Sequence, residues 1–245
     1  MASTTPTDPI KALALHPRGG PLGTSTLRAL GVSSALASHY VKAGWLKRLG
    51  RGVFMFPKDT LQREQSLLLL ESQIPGLHVG GKAALAWRGI RHNIGPQERL
   101  SLWGPRGARL PPWFTDRFPS SYVTRQLFDV KLPSSYAIGV LPESPDGPSV
   151  SEPERALLEL LSDVGVGQGV EEARNIMESL RSARLDVLGA LLKHCVRVKV
   201  VRLCVQWAEE LGLGWAAQAR EAAGTRGRGR WTARLRDGTT LILKP

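Results

Sequence analysis

The chain has 245 residues, 42% of them hydrophobic and 22% charged, which suffices for the core of one large domain or two smaller ones. No segment approaches the about 20 apolar residues of a membrane span, and Met1–Lys11 lacks the apolar core of a signal peptide; we therefore expect a cytoplasmic protein without membrane contact. The net charge of +12 favours a polyanionic partner, and nucleic acid is the commonest soluble one.

The first part of the chain predicts three short helices followed by a basic two-stranded ribbon. The first helix covers residues 10–15 and stops in a turn rich in Pro and Gly. The second covers residues 23–30 and ends at Gly31, and Ser33 caps a third that ends before Gly44. Residues 45–56 then predict two short strands around a tip bracketed by glycines. This order is typical of a winged helix-turn-helix.

The polar face of the third helix carries the predicted base-reading side chains. Ser34, Ser38 and Lys42 recur at i, i+4 and i+8, opposite the apolar face that would meet the core. Short hydroxyls suit base edges in the major groove, and lysines and arginines suit phosphates. Residues 1–57 hold seven Lys and Arg against one Asp, which favours DNA binding over a polar face that merely meets solvent. The candidate DNA-binding residues are Ser25, Ser33, Ser34, Ser38, His39, Lys42, Lys47, Arg48 and Arg51.

The middle of the chain predicts a mixture of helices and short strands. Helices are expected over residues 61–73, 81–88, 155–162, 170–183, 185–194 and 198–211, and extended segments over 99–103, 122–125 and 136–141. Ser151 and Glu154 match a capping box at the start of the helix over 155–162. The predicted fold is therefore α+β, with a winged helix-turn-helix domain over residues 1–58 followed by a mixed, helix-rich α/β domain over residues 59–245.

The end of the chain predicts a basic β-hairpin. Strands over residues 230–236 and 239–244 flank Asp237 and Gly238, a strong hairpin signal. Residues 193–245 hold eleven Lys and Arg against four acids. Three interpretations remain open: a second DNA contact, a contact with the acidic or RNA-bearing surface of a protein partner, and a solvated edge protected by charge. The cations concerned are Arg226, Arg228, Arg230, Arg234 and Arg236.

No group of residues has the spacing of a catalytic or metal site. The glycines of residues 165–169 depart from the G-x-G-x-x-G pattern and follow a predicted helix rather than a strand. Glu152, Glu154 and Glu159 lack the lysine partner on a nearby strand that a metal nuclease would have, and Cys195 and Cys204 are predicted to be buried thiols. We expect no enzymatic activity, no cofactor and no bound metal.

Four segments resemble AbiEi-type antitoxins, which are transcriptional regulators of type IV toxin–antitoxin systems. They are residues 24–33, residues 40–54, residues 75–85 with the sequence PGLHVGGKAAL, and residues 151–159 with the sequence SEPERALLE. The resemblance implies an N-terminal part that binds inverted repeats in double-stranded operator DNA and represses its own operon, as a monomer or weak dimer. It also implies a C-terminal part that counteracts a nucleotidyltransferase-like toxin, which is then the candidate partner for the basic hairpin.

Two other functions fit the same residues. One is a stand-alone winged-helix regulator whose C-terminal domain senses a signal. The other is a nucleic-acid-processing enzyme, such as a nuclease, with its catalytic domain in residues 59–245. A neighbouring gene for a nucleotidyltransferase-like protein would favour the antitoxin over both.

Overall fold

The computed structural model describes residues 8–91, 99–224, 229–234, 238 and 240–243. By their contacts these residues form two units. The first comprises the described residues up to Pro75 together with Arg109–Phe118, and the second comprises the other described residues. The described residues of the predicted domain 1–58 lie inside the first unit, which extends further along the chain than that prediction.

The helices and strands of the described residues are numbered here in chain order. Those up to residue 118 are α1 (Pro9–Ala14), β1 (Leu22–Gly23), α2 (Thr24–Ala29), α3 (Ser34–Lys42), β2 (Lys47–Gly50), β3 (Val53–Met55), α4 (Arg63–Gln73), β4 (His78–Val79), α5 (Gly81–Trp87), β5 (Leu100–Trp103) and α6 (Pro112–Thr115). Those that follow are β6 (Ser120–Val123), β7 (Ile138–Gly139), β8 (Val150–Ser151), α7 (Pro153–Asp163), α8 (Val170–Ser179), α9 (Leu185–His194), α10 (Val198–Glu210), α11 (Ala216–Ala223), β9 (Trp231–Arg234) and β10 (Thr240–Leu243).

The first unit contains the predicted winged helix-turn-helix. Its three antiparallel strands lie in the order β1-β3-β2, and Phe54 of β3 pairs with Leu22 on one side and Arg48 on the other. The strands β2 and β3 form the wing, whose tip turns at Gly52 with a φ of 71°, a conformation that favours glycine. Side chains from α1, α2, α3 and the sheet meet in one core: Leu13, Leu22, Leu27, Val32, Ala37, Tyr40, Leu46, Phe54 and Phe56.

The second unit is built on a five-stranded mixed sheet with the order β6-β5-β4-β8-β7. The central strands β4 and β8 are parallel, whereas β4 with β5 and β7 with β8 are antiparallel. Helix α7 is buried along most of its length and packs against α5, α8, α9 and α10. This arrangement confirms the predicted α+β class with a helix-rich second part.

The predicted capping box at the start of α7 is wrong. The N-cap is Glu152, whose side chain makes no capping hydrogen bond, and Pro153 is the first helical residue. Proline suits this position because it has no N–H to satisfy and its φ is already helical. Ser151 instead ends β8, and its hydroxyl donates to Glu159 at 2.8 Å. The serine is thus part of a buried tertiary contact.

The C-terminal hairpin forms as predicted in the residues that the structure describes. Strands β9 and β10 pair antiparallel, with Leu243 opposite Trp231 and Thr240 opposite Arg234. Leu243 is fully buried, and the side chain of Arg202 on α10 donates to the carbonyl of Gly229. The hairpin is therefore anchored to the second unit. Of the predicted cations, Arg226, Arg228 and Arg236 lie outside the described residues.

Candidate nucleic-acid interface

The candidate interface begins at the hydroxyl groups at the start of α3. The Ser33 hydroxyl oxygen accepts a hydrogen bond from the Leu36 N–H at 3.2 Å, which caps the helix as predicted. Ser33 and Ser34 are both exposed. Because Ser33 uses only a lone pair in the cap, its hydroxyl proton remains available to an acceptor outside the helix.

Ser38 differs from these two serines because its proton is used within the helix. Its hydroxyl donates to the Ser34 carbonyl at 3.0 Å, one turn back. The half-buried Ser38 oxygen therefore offers lone pairs to its surroundings and no proton. In the major groove, amino groups that such an oxygen could accept from are carried by cytosine and adenine.

The cations of the interface follow the serines along the chain. Lys42, the last residue of α3, is exposed, as are Lys47 and Arg48 on β2 and Arg51 at the wing tip. The Arg48 guanidinium lies 5.3 Å from the centre of the Phe54 ring. The aromatic ring thus supports the arginine without neutralising its charge.

A cleft of about 190 Å³ joins α2, α3 and the wing. Four of the predicted site residues line it, namely Ser33, Ser34, Ser38 and Arg48. Its other lining residues are mostly apolar and belong to the core of the first unit, apart from Thr24, Arg28 and Gly52. The remaining predicted residues do not line the cleft: Ser25, His39, Lys42, Lys47 and Arg51.

Arg28 is the residue of this surface that the sequence prediction missed. It is exposed on α2 and lines the same cleft as Ser38 and Arg48. Its signal was available, because the first helix of a helix-turn-helix pair crosses the DNA backbone and Arg28 is the only cation on that helix.

Among the described residues, the cations on this surface form no ion pair with a carboxylate. Within the described residues, no Asp or Glu forms an ion pair with Arg28, Lys42, Lys47, Arg48 or Arg51. Arginines of the second unit behave differently: Arg88 pairs with Glu152, and Arg184 with both Glu152 and Glu154. The first unit therefore presents cations that are available to an external anion.

A buried polar network occupies the centre of the second unit. Glu159 of α7 is 1% exposed and accepts hydrogen bonds from His78 at 3.1 Å and Arg155 at 2.9 Å. It also accepts from the Ser151 hydroxyl at 2.8 Å and the Gly81 N–H at 2.9 Å. The carboxylate is thus fully engaged by groups from β4, β8, α5 and its own helix.

The close approach of the backbone to Glu159 depends on a glycine. A Cβ atom at Gly80 would lie 2.3 Å from a Glu159 carboxylate oxygen, far inside contact distance. Burial alone would raise the pKa of Glu159, but the His78 hydrogen bond and the charges of His78 and Arg155 outweigh it and lower the pKa. The network accounts for the glycine–histidine segment and the SEPERALLE run that the sequence singled out.

Three further properties concern the whole described part of the chain. None of its helices is long and apolar enough to cross a membrane. It contains no group of three or more His, Cys, Asp or Glu side chains placed to hold a metal ion. Cys195 and Cys204 are both buried and unbridged, and burial raises the pKa of the Cys204 thiol.

The chain matches two family descriptions and is similar in fold to solved protein structures. Residues 7–95 match "Transcriptional regulator, AbiEi antitoxin N-terminal domain", and residues 97–240 match "Transcriptional regulator, AbiEi antitoxin, Type IV TA system". The crystal structure of the RV2827C protein from Mycobacterium tuberculosis aligns with a TM-score of 0.59 at 13% identity, covering 90% of this chain and 80% of that one. That likeness concerns the fold, and no curated protein matches the sequence.

The two family matches adjoin each other and together span nearly the whole sequence, the first over the winged helix-turn-helix and the second over most of the second unit. The chain therefore belongs to the AbiEi antitoxin family, the transcriptional regulators of type IV toxin–antitoxin systems.

Proposed function

We propose that this protein is a cytoplasmic, sequence-specific repressor of its own toxin–antitoxin operon and the antitoxin to a nucleotidyltransferase-like toxin. The observation that supports it most is the surface of α2, α3 and the wing, where exposed hydroxyls lie beside cations that no carboxylate of the described residues neutralises. The ligand is double-stranded operator DNA with inverted repeats, bound by a monomer or weak dimer.

In this proposal the two sets of side chains have different roles. Helix α3 enters the major groove, where Ser34, Ser38 and His39 contact base edges. Arg28 on α2 and Arg48 and Arg51 on the wing contact phosphates and set the position of the helix. Because the Ser38 hydroxyl donates its proton to the Ser34 carbonyl, we assign its oxygen to accept a hydrogen bond from an adenine or cytosine amino group.

The division of roles predicts that two substitutions affect DNA binding in different ways. Ser38→Ala removes an acceptor that touches a base, so it should reduce discrimination between operator and scrambled duplexes by about 1–3 kcal/mol. Arg51→Ala removes a phosphate contact, so it should weaken both duplexes alike. Fluorescence anisotropy on the two duplexes at one salt concentration measures both effects.

Ser72→Ala is the matched control for the serine variant. The exposed Ser72 also donates its hydroxyl proton to a carbonyl of its own helix, that of Leu69 at 2.7 Å, but it lies on α4. Ser72→Ala should leave the affinities for the operator and the scrambled duplex unchanged. Equal losses on both duplexes for Ser38→Ala would contradict the assignment of Ser38 as a base-reading residue.

The basic hairpin is proposed to act in neutralising the toxin. Arg230 is exposed, and the hairpin that follows it is anchored to the second unit through Leu243 and Arg202. A toxin that handles nucleotides or RNA offers anionic groups to such a ribbon. The proposal contains no enzymatic step, since Glu152 and Glu154 are held by arginines and Glu159 by the buried network.

Charge reversal on the hairpin should impair protection from the toxin without loss of the fold. We expect Arg230→Glu combined with Arg234→Glu to restore growth poorly on co-expression with the cognate toxin, while operator affinity stays within about twofold of the unmodified protein. The matched control is Lys131→Glu with Arg181→Glu, two exposed cations elsewhere in the second unit. Full rescue of growth would identify the ribbon as solvated surface, and lost operator affinity would make it a second DNA contact.

A further inference from the structure

An apolar groove of about 320 Å³ lies on the first unit and shares no lining residue with the cleft between α2, α3 and the wing. Its walls come from α1, from the junction between α3 and β2, and from the segment after β3. The residues that matter for its chemistry are Ile10, Leu13, Arg18, Trp45, Phe56 and Lys58. The groove therefore combines aliphatic and aromatic walls with two cations.

The exposed wall of the groove is held in place before anything binds. Trp45 is 49% exposed and Ile10 is 42% exposed, although both side chains are large and apolar. The Trp45 ring stacks on the buried Tyr40 ring at 5.7 Å between centres and 17° between planes. The backbone N–H of Trp45 also donates to the Tyr40 carbonyl at 2.9 Å, which fixes the main chain at this position. A fixed, half-exposed tryptophan is typical of an anchor point in a protein interface.

The rim of the groove is positively charged. The Arg18 guanidinium lies 3.7 Å from the centre of the Phe56 ring and 3.9 Å from a carboxylate oxygen of Asp59. The other Asp59 oxygen accepts a hydrogen bond from the Gly19 N–H at 2.9 Å. Lys58 is exposed and has no ion pair within the described residues. Lys58 can therefore pair with a carboxylate from outside the chain.

We propose that this groove docks an acidic segment of a partner protein. The segment would place an apolar side chain against the exposed Trp45 ring and a carboxylate beside Lys58. A second copy of this chain is disfavoured, because a two-fold contact would bring two basic rims together. A lipid surface is disfavoured because the site is concave and takes a single inserted side chain rather than a flat layer.

The groove remains open in the DNA complex proposed above. Tyr40, which supports Trp45, is two residues from Ser38 and so lies about 200° around α3 from it. The docking site is thus on the opposite side of α3 from the base-reading face. The docking proposal does not itself depend on DNA binding, since its evidence is the groove alone.

The test is a selection of random twelve-residue peptides displayed on phage against the full-length protein. We expect enriched peptides to carry an aromatic or aliphatic residue flanked by Asp or Glu. The most enriched peptide, synthesised and titrated by calorimetry, should bind about tenfold more weakly to Lys58→Glu. Lys11→Glu, an exposed cation on α1 that does not line the groove, should change its affinity less than twofold.

Several outcomes would overturn the proposal. They are no enrichment, enrichment without acidic residues, and equal binding to the protein and to Lys58→Glu. Trp45→Ser should also abolish peptide binding. If Trp45→Ser does not fold, the loss of peptide affinity in Lys58→Glu still tests the proposal. Two results would assign the groove elsewhere: co-sedimentation with phosphatidylglycerol vesicles that Trp45→Ser abolishes, or a dimer in analytical ultracentrifugation that the same variant dissociates.

Discussion

Binding of the full-length protein to its operator is expected to weaken about 1000-fold between 50 and 200 mM salt. The proposed interface presents exposed cations on α2, α3 and the wing, and residues 1–57 carry a net charge of +6. If about six phosphates are neutralised, the logarithm of the affinity falls with the logarithm of salt concentration with a slope near −5. Anisotropy titrations at four salt concentrations measure that slope.

Removing two wing cations should reduce the dependence of operator affinity on salt concentration by a defined amount. Arg48→Ala with Arg51→Ala should make the slope less steep by about two, since each phosphate contact contributes about one. Lys131→Ala removes an exposed cation of the second unit and should leave the slope unchanged. An affinity that does not respond to salt, or a double variant with the original slope, would show that the wing does not contact DNA.

Replacement of Glu159 by alanine is expected to lower the free energy of unfolding by about 3–5 kcal/mol. The substitution leaves the buried Arg155 side chain without its carboxylate, although its guanidinium still donates to backbone carbonyls. It also removes the acceptor for His78, Ser151 and the Gly81 N–H. An uncompensated buried cation is far costlier than the loss of a surface pair. Urea unfolding followed by tryptophan fluorescence measures the difference.

Two companion variants separate the network from general effects of substitution. Glu159→Gln keeps the size of the side chain but not its charge. Its free energy of unfolding should lie between those of the original protein and Glu159→Ala. Glu178→Ala breaks an exposed pair with Arg181 and should cost less than about 1 kcal/mol. A cost for Glu159→Ala as small as that of Glu178→Ala would contradict the role assigned to the network.

The same network makes stability depend on pH. Because the pKa of Glu159 is lowered in the folded protein, its ionised form stabilises the fold above the ordinary pKa of an unfolded glutamate. That stabilisation is lost as the pH falls from the ordinary value through the lower folded one. The stability difference between the original protein and Glu159→Gln should therefore shrink on acidification below about pH 4, and a difference that grows would contradict the sign.

The sequence by itself determined the local structure of the proposed DNA-binding surface and of the C-terminal hairpin. The Ser33 cap, the end of α3 before Gly44, the wing and the C-terminal hairpin all depend on residues within a few positions of one another. Capping and turn preferences act over that range, so they can be recognised in the sequence before any packing is known. The short strands β1, β4 and β8 carry no such pattern, and they were not predicted.

Only the tertiary structure decided which distant residues share a site. Arg28 and Ser38 meet Arg48 in one cleft because the core of the first unit brings α2, α3 and the wing together. His78 and Glu159 are 81 residues apart. Ser151, which the sequence predicted to cap α7, instead donates its hydroxyl proton to Glu159. Contacts at such separations depend on how whole helices and strands pack, and no local preference of the chain specifies them.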